Sequence, residues 1–337
     1  MSNQHGPTDQ TRPLRPRVVV VGEGLIDVVN GRPHVGGSPL NVAVGAARLG
    51  CEAVYLGRTG LDEYGDMVAR HLRSNGVIAP MPPDDNPTSV ATATLGADGS
   101  ATYDIQLHWD MPDLGTALQK SLVGARLLHT GSIATVHEPG AGQVLEAVAA
   151  ARDRGALVTF DPNCRPSINP DRHHGRRSAE TFVALSTLVK VSEEDLRWLY
   201  PDADLEEAAA SWLRLGPSLV VVTLGGQGAL ALTPAGTVRT PAMHTQVVDT
   251  VGAGDSFMAS LLAQIASQGH HPSSLDMVHI ERLLHRAACA AAITVSRAGA
   301  NPPTLAELET FDKINSFPTP STRTHPRFPI PQEGNHS

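Results

Sequence analysis

From Arg17 onward, short runs of β-branched residues alternate with longer stretches whose apolar positions recur every three or four residues. Valine, leucine and isoleucine are continuous or alternating at 17–22, 53–57, 126–131, 156–161, 188–191, 218–224 and 246–250, and these runs are predicted to be strands. The helical spacing predicts helices near 39–49, 62–75, 139–153, 178–187, 193–200, 204–214, 254–268 and 276–297. Strands that are apolar on both faces and separated by helices bury both faces. The fold class is therefore α/β, a mostly parallel sheet flanked by helices.

The rhythm breaks in one region. Thr88 to Leu95 (TSVATATL), a turn at Ala97-Asp98-Gly99 and Ala101 to Leu107 (ATYDIQL) read as a β-hairpin with no helix after it. Asp27 to Asn30 and Arg32 to Val35, joined around Asn30-Gly31, read as a second. Hairpins near 27–38 and 88–110 either decorate a sheet edge or form a small lid, and a lid that excludes water suits group transfer. An apolar face left on such a lid would be covered by a homodimer. Residues 1–16 and 317–337, rich in proline and polar residues, are expected to be flexible tails, which leaves one domain at 17–316.

Composition narrows the function classes. In 337 residues the formal net charge is −8, which offers no basic surface to nucleic acid. No apolar run reaches the ~18 residues of a membrane span, and the basic start lacks the apolar segment of a signal peptide. Cys51, Cys164 and Cys289 are far apart and odd in number, the pattern of reduced thiols, so a cytoplasmic location is expected. Lysine occurs only at 120, 190 and 313, and none stands in a G-x-x-x-x-G-K-[ST] phosphate loop.

Candidate chemistry is concentrated in a few segments. In VVDTVGAGDSF (247–257), Gly252, Ala253 and Gly254 stand between a predicted strand and a predicted helix and are followed at once by Asp255. A helix N-terminus carries unpaired amides and partial positive charge, so small residues there admit an anion. The same residues also make an ordinary tight turn with Asp255 as N-cap. At the first strand, VVVVGEGLID begins Gly22-x-Gly24 like a dinucleotide fingerprint, but Asp27 occupies the place of the third glycine, where a carboxylate repels a pyrophosphate. That argues against a nicotinamide dehydrogenase and leaves an acid placed to accept hydrogen bonds from ligand hydroxyls. Gly36-Gly37 permits close backbone approach, and Asn41 opens a helix of small residues. Asn41 reads as a partner for a polyol or as a capping, solvent-facing side chain. The pairs His173-His174 and His270-His271 lie in polar stretches without zinc spacing, read as loops.

Gly36-Gly37-x-x-x-Asn41-x-Ala43, ending in Leu49-Gly50, together with Asp249-Thr250-x-Gly252-Ala253-Gly254-Asp255-Ser256-Phe257, resembles the two signatures of the ribokinase-like, pfkB-type carbohydrate kinases. The similarity spans roughly Arg17 to Pro303. It implies a Rossmann-like domain with a small β lid that transfers the γ-phosphoryl of Mg-ATP to a sugar hydroxyl. Asp255 would take the proton of the acceptor hydroxyl, and the amides of Gly252, Ala253 and Gly254 would form the anion hole, since phosphoryl transfer needs positioning and charge stabilisation.

Further matches assign the rest of the site. Thr223, Gly225, Gly226 and Gly228 of TLGGQG, by itself a hairpin turn, resemble the loop beside ATP, and Lys190, Ser192 and Asn301 fall on the nucleotide side. Where many members carry Asn-x-x-Glu, this chain has Ser192 and Asp195, so Glu194 and Asp195 are the candidates for indirect Mg2+ binding. Asp249, with the loop 296–301, resembles the site of members activated by K+. On the sugar side stand Asp27, Gly36, Gly37, Asn41, the lid residues Tyr103 and Gln106, and Arg165 of FDPNCRP. That last segment resembles those of fructokinases and 2-keto-3-deoxygluconate kinases; alternatively Arg165 is a surface arginine on a strand-end turn. The expected reaction is fructose to fructose 6-phosphate. The alternatives are 2-keto-3-deoxygluconate or another sugar or nucleoside as acceptor, and a non-catalytic sugar-binding regulator, against which an intact Asp255 argues.

Overall fold

The computed structural model describes residues 15–95 and 101–315, without the side chains of 93–95 and 101–103. The expected tails, residues 15 and 16 apart, and the turn Ala97-Asp98-Gly99 lie outside the described residues. The strands are β1 (Arg17–Val21), β2 (Leu25–Val29), β3 (Arg32–Gly36), β4 (Glu52–Leu56), β5 (Val90–Leu95), β6 (Ala101–Gln106), β7 (Ala125–Gly131), β8 (Leu157–Asp161), β9 (Leu188–Ser192), β10 (Leu219–Thr223), β11 (Ala229–Thr233) and β12 (Gly236–Thr240). The helices are α1 (Ser38–Arg48), α2 (Glu63–Ser74), α3 (Leu114–Ser121), α4 (Gly140–Asp153), α5 (Arg172–Leu185), α6 (Glu193–Leu199), α7 (Leu205–Leu213), α8 (Ala253–Gln268), α9 (Met277–Val295) and α10 (Leu305–Ile314).

The large sheet has the order β12-β11-β10-β9-β8-β7-β1-β4, parallel from β4 to β10 and antiparallel beyond. Successive side chains of a strand point to opposite faces, and here both faces are dry. Val18 and Val20 of β1 pack with α1, α2, α8 and α9, whereas Val19 and Val21 pack with α3 to α7. That is why β1 reads as an unbroken valine run. The chain steps from β1 to β4 on one side and then returns to β7 on the other. This reversal opens a crevice at the carboxyl ends of the strands, the usual ligand position in open α/β sheets.

The two predicted hairpins exist and join. β2 pairs with β5 in parallel, which makes one four-stranded sheet, β3-β2-β5-β6. Gly22-Glu23-Gly24 is the short link that carries the chain from the large sheet to the small one.

Some elements differ from expectation. Residues 246–250 form no strand: Val247 and Val248 are about 60% exposed, and the amides of Val248 and Asp249 both turn to the Val295 carbonyl at the end of α9. The sheet edge is taken instead by the hairpin of β11 and β12, where the TLGGQG loop turns the chain back on β10. α5 begins at Arg172 rather than near 178, because the Asp171 carboxylate accepts the His174 amide and caps it. His173-His174 therefore sit in a helical turn, not in a loop. Among the described residues, no helix is long and apolar enough to cross a membrane.

Candidate active site

The loop before α8 enters the helix through Gly252, which holds φ at 76° and on which a Cβ would stand 2.7 Å from that of Ala300. Any other residue here would meet both a strained backbone and the loop 296–301. The start of α8 is further fixed from within. Ser256 Oγ donates to the Ala290 carbonyl and receives the Thr294 hydroxyl at 2.8 Å, tying the helix to α9 in a buried polar link.

Asp255 thus lies in the first turn of α8 with its carboxylate aimed across the cleft at the start of α1. Ser38 Oγ donates to one oxygen at 2.7 Å, and Asn41 Nδ2 donates to the other at 2.9 Å. Pro39 stands in the first turn of α1 between the two donors, where its fixed φ suits a helix start. Burial raises the proton affinity of Asp255 above the ordinary carboxylate range, while the bonds from Ser38 and Asn41 and the charge of Lys190 pull it back. The Ala253 amide turns back to the Thr250 carbonyl at 3.3 Å.

Lys190 comes from the middle of β9 and reaches the same end. Its Nζ lies 2.5 Å from Asp161 Oδ2, with only 5% and 1% of the two side chains exposed, and 3.2 Å from where a Cβ on Gly254 would stand. Burial alone would lower the Lys190 pKa, but Asp161, Asp255 and Asp195 together raise it. Asp161 Oδ1 is buried with no hydrogen-bond partner among the described residues. Asp195 is likewise buried, accepts the Cys164 amide at 2.9 Å, and is pushed up by burial and by the charge of Asp161.

The other predicted residues are distributed as follows. Ser192 caps α6, its Oγ receiving the Asp195 amide at 3.0 Å, and Glu194 is exposed on that helix. Asp249 fastens two loops: one oxygen accepts the Val251 amide and the other the Gly299 amide, which hold it below the usual carboxylate range. Asn301 is exposed, and its Oδ1 accepts Arg48 Nη1 at 2.5 Å. Thr223 ends β10, with Gly225 and Gly226 on the surface after it and Gly228 buried under the Thr240 carbonyl.

Asp27 lies on the small sheet beside Gly36, where a Cβ would stand 2.1 Å from its Oδ2. Burial raises it too, countered by the charges of Arg165 and His34. Arg165 is exposed and bonds to Asn163 and the Cys164 carbonyl of its own loop. Gly37 is the N-cap of α1, and Gln106 ends β6 exposed, while the side chain of Tyr103 lies outside the described residues.

Ser38, Asp161 and Glu23 carry no prediction from the sequence. Ser38 sits inside the diglycine signature and Asp161 inside FDPNCRP, so their place next to singled-out residues was the available signal. Glu23 is buried on the link between the two sheets, accepts the Ala134 amide at 3.0 Å, and is pushed by burial to about 7.

Comparison with known proteins places this arrangement. The family model described as pfkB family carbohydrate kinase matches residues 16–307. Fructokinase-1 of Oryza sativa subsp. japonica is 33% identical over 327 residues, an alignment covering 89% of this chain and 98% of the rice protein. Among solved structures, a fructokinase with bound ATP from Xylella fastidiosa is similar with a TM-score of 0.80 and 26% identity, covering 90% of this chain and all of that one. A fructokinase double mutant from Vibrio cholerae O395, in a fructose-, ADP- and potassium-bound form, has a TM-score of 0.76 at 26% identity, with 88% and 98% coverage. With both signatures meeting at Asp255 and a family match over most of its length, the chain belongs to the pfkB family of carbohydrate kinases.

Proposed function

We propose that the protein is a cytoplasmic fructokinase that transfers the γ-phosphoryl of Mg-ATP to fructose, releasing fructose 6-phosphate and ADP. The observation that carries this reading is the Asp255 carboxylate in the first turn of α8, gripped by Ser38 and Asn41. A sugar hydroxyl seated there passes its proton to Asp255 as its oxygen attacks the γ-phosphorus. The bond from that phosphorus to the β–γ bridging oxygen breaks, and ADP leaves with the electron pair. A carboxylate raised by burial is a stronger base than an exposed one. The anion hole is assigned to the amides of Gly252, Ala253 and Gly254, that of Ala253 leaving its 3.3 Å bond to the Thr250 carbonyl, with Lys190 Nζ beside Gly254.

On the sugar side, Asp27 and Asn41 accept and donate to fructose hydroxyls over Gly36-Gly37, with the small sheet as a lid that brings Tyr103 and Gln106. Arg165 completes this wall. On the nucleotide side, Thr223, Gly225, Gly226 and Gly228 with Ser192 and Asn301 flank ATP.

The unpartnered Asp161 Oδ1 beside Asp195 suits a hydrated divalent cation, with Glu194 at its rim. Asp161, Asp195 and Glu194 would hold Mg2+ there, and the ion would supply neutralising charge to the ATP phosphates. Asp249, held ionised between two loops, is the group for a monovalent cation, and the potassium in the Vibrio cholerae structure supports that assignment. The fructokinase names of the relatives support the choice of fructose. Three free cysteines support the cytoplasm, and exposed Val29 on β2 supports a homodimer through the small sheet. ADP formation from Mg-ATP, followed with and without fructose, tests the reading; sugar-independent turnover, or none, would overturn it.

A further inference from the structure

A separate cluster lies between α9 and α10. His285 and Cys289, four residues apart, share one face of α9, and Asp312 of α10 meets them, so that one ligand atom from each lies within 4.8 Å of the others. At 1.5 Å per residue these positions are roughly 8 to 14 Å along α9 from Thr294, which touches the start of α8. His285 Nε2 is 3.3 Å from Asp312 Oδ1, and Arg286 binds the other carboxylate oxygen at 3.1 Å, leaving Oδ1 on the cluster. Cys289 is fully buried and His285 nearly so, while the Asp312 side chain keeps 28% of its surface exposed, which supplies an entry path.

We propose that His285, Cys289 and Asp312 form a zinc site that staples α10 to α9, with the fourth tetrahedral position open to water. The donor set selects the metal: imidazole and thiolate suit zinc and bind hard Mg2+ poorly, since that ion prefers oxygen ligands. Zn–S and Zn–N bonds of about 2.3 and 2.0 Å put neighbouring donors about 3.5 Å apart in a tetrahedron, so side-chain rotations of about an ångström close the site. A thiolate and a carboxylate offset the two charges of the ion. Zinc takes the thiolate, so binding releases the Cys289 proton to solvent and tightens as the pH rises. α10 buries little besides Leu308, and its pair Arg297–Glu307 anchors the loop that packs on Gly252.

The test is titration of the full-length, metal-free protein with Co2+ in excess Mg2+, followed by absorbance. One Co2+ per chain should bring a thiolate-to-cobalt charge-transfer band and intense tetrahedral bands, both erased by Zn2+. Asp312→Asn, which keeps the side chain's shape at a partly exposed position, should weaken the affinity more than about tenfold, since even outer-shell partners cost 10–100-fold. Cys289→Ser should abolish the charge-transfer band, and Cys164→Ser should keep it. Zn2+ should raise the Tm of the wild type more than that of Asp312→Asn at the same metal concentration. Absence of the band at saturating Co2+, its survival in Cys289→Ser, or unchanged affinity in Asp312→Asn would each overturn the proposal.

Discussion

Replacing Asp255 by Asn separates the chemistry from the scaffold. The amide cannot take a proton, so kcat should fall by on the order of 10² to 10⁴, about 3 to 5 kcal/mol of transition-state stabilisation at 1.36 kcal/mol per decade. Two effects on stability oppose each other. The buried carboxylate, whose proton affinity is raised by burial, loses its desolvation cost when made neutral. Against this, Ser38 and Asn41 both donate to Asp255, and an amide offers only one oxygen, so one donor is stranded at a cost of about 1 to 3 kcal/mol. The expected Tm therefore moves by only a few degrees in either direction, at roughly 2 to 4 °C per kcal/mol for a chain of this size or somewhat smaller. The assay is steady-state ADP release at saturating fructose beside calorimetric titration with ATP. Turnover should collapse while ATP affinity is retained. A folded variant with near-normal kcat would refute the base assignment, and lost ATP affinity would place Asp255 in nucleotide binding instead.

Ser38→Ala removes a bond that lowers the Asp255 pKa, so the acid limb of the kcat/KM profile should move to higher pH, and an unmoved limb would remove Asp255 from that titration. Asp27→Ala should raise the KM for sugar far more than that for ATP, because the site's other polar groups stay buried and unpaired; equal effects would contradict the sugar role. Lys190→Met strands the Asp161 carboxylate and should cost about 3 to 5 kcal/mol in urea unfolding, largely recovered by adding Asp161→Asn, whereas a loss under about 1 kcal/mol would show that Asp161 is content alone. Glu23 holds its proton to about 7 in the folded chain against an ordinary value of 4.5, so its contribution is full below 4.5 and is lost as the pH rises through 7. Urea titrations across that window should lose about 3 kcal/mol more in the wild type than in Glu23→Gln, and parallel curves would remove the assignment.

The parallel sheet was legible because its strands are dry on both faces: the valine run of β1 and the apolar β10 leave no other reading. The place of Asp255 in the first turn of a helix was legible from the small residues that precede it. The run at 246–250 misled because alternation over so few residues does not distinguish a strand from a loop whose valines face solvent. β11 and β12 escaped because Ala229 to Thr240 mixes small and polar residues around Pro234-Ala235-Gly236. α10 had a signal that passed unread, the capping box Thr304-x-x-Glu307, whose two reciprocal bonds the structure contains. The pairings of Asp255 with Ser38 and Asn41, and of Lys190 with Asp161, span 217, 214 and 29 residues. No local pattern encodes which side chains of two distant helices, or of two neighbouring strands, will face one another.

The most direct test of the account is kcat/KM for fructose, ribose and 2-keto-3-deoxygluconate, measured side by side with Mg-ATP. Neutral fructose can be held by Asp27, Asn41 and the small sheet alone, whereas an acidic sugar needs a fixed cation such as Arg165, and a charged hydrogen bond is worth about 1.5 to 3 kcal/mol. Fructose should lead both others by tenfold or more, with fructose 6-phosphate as product. A tenfold or greater preference for 2-keto-3-deoxygluconate, lost in Arg165→Ala, would contradict it.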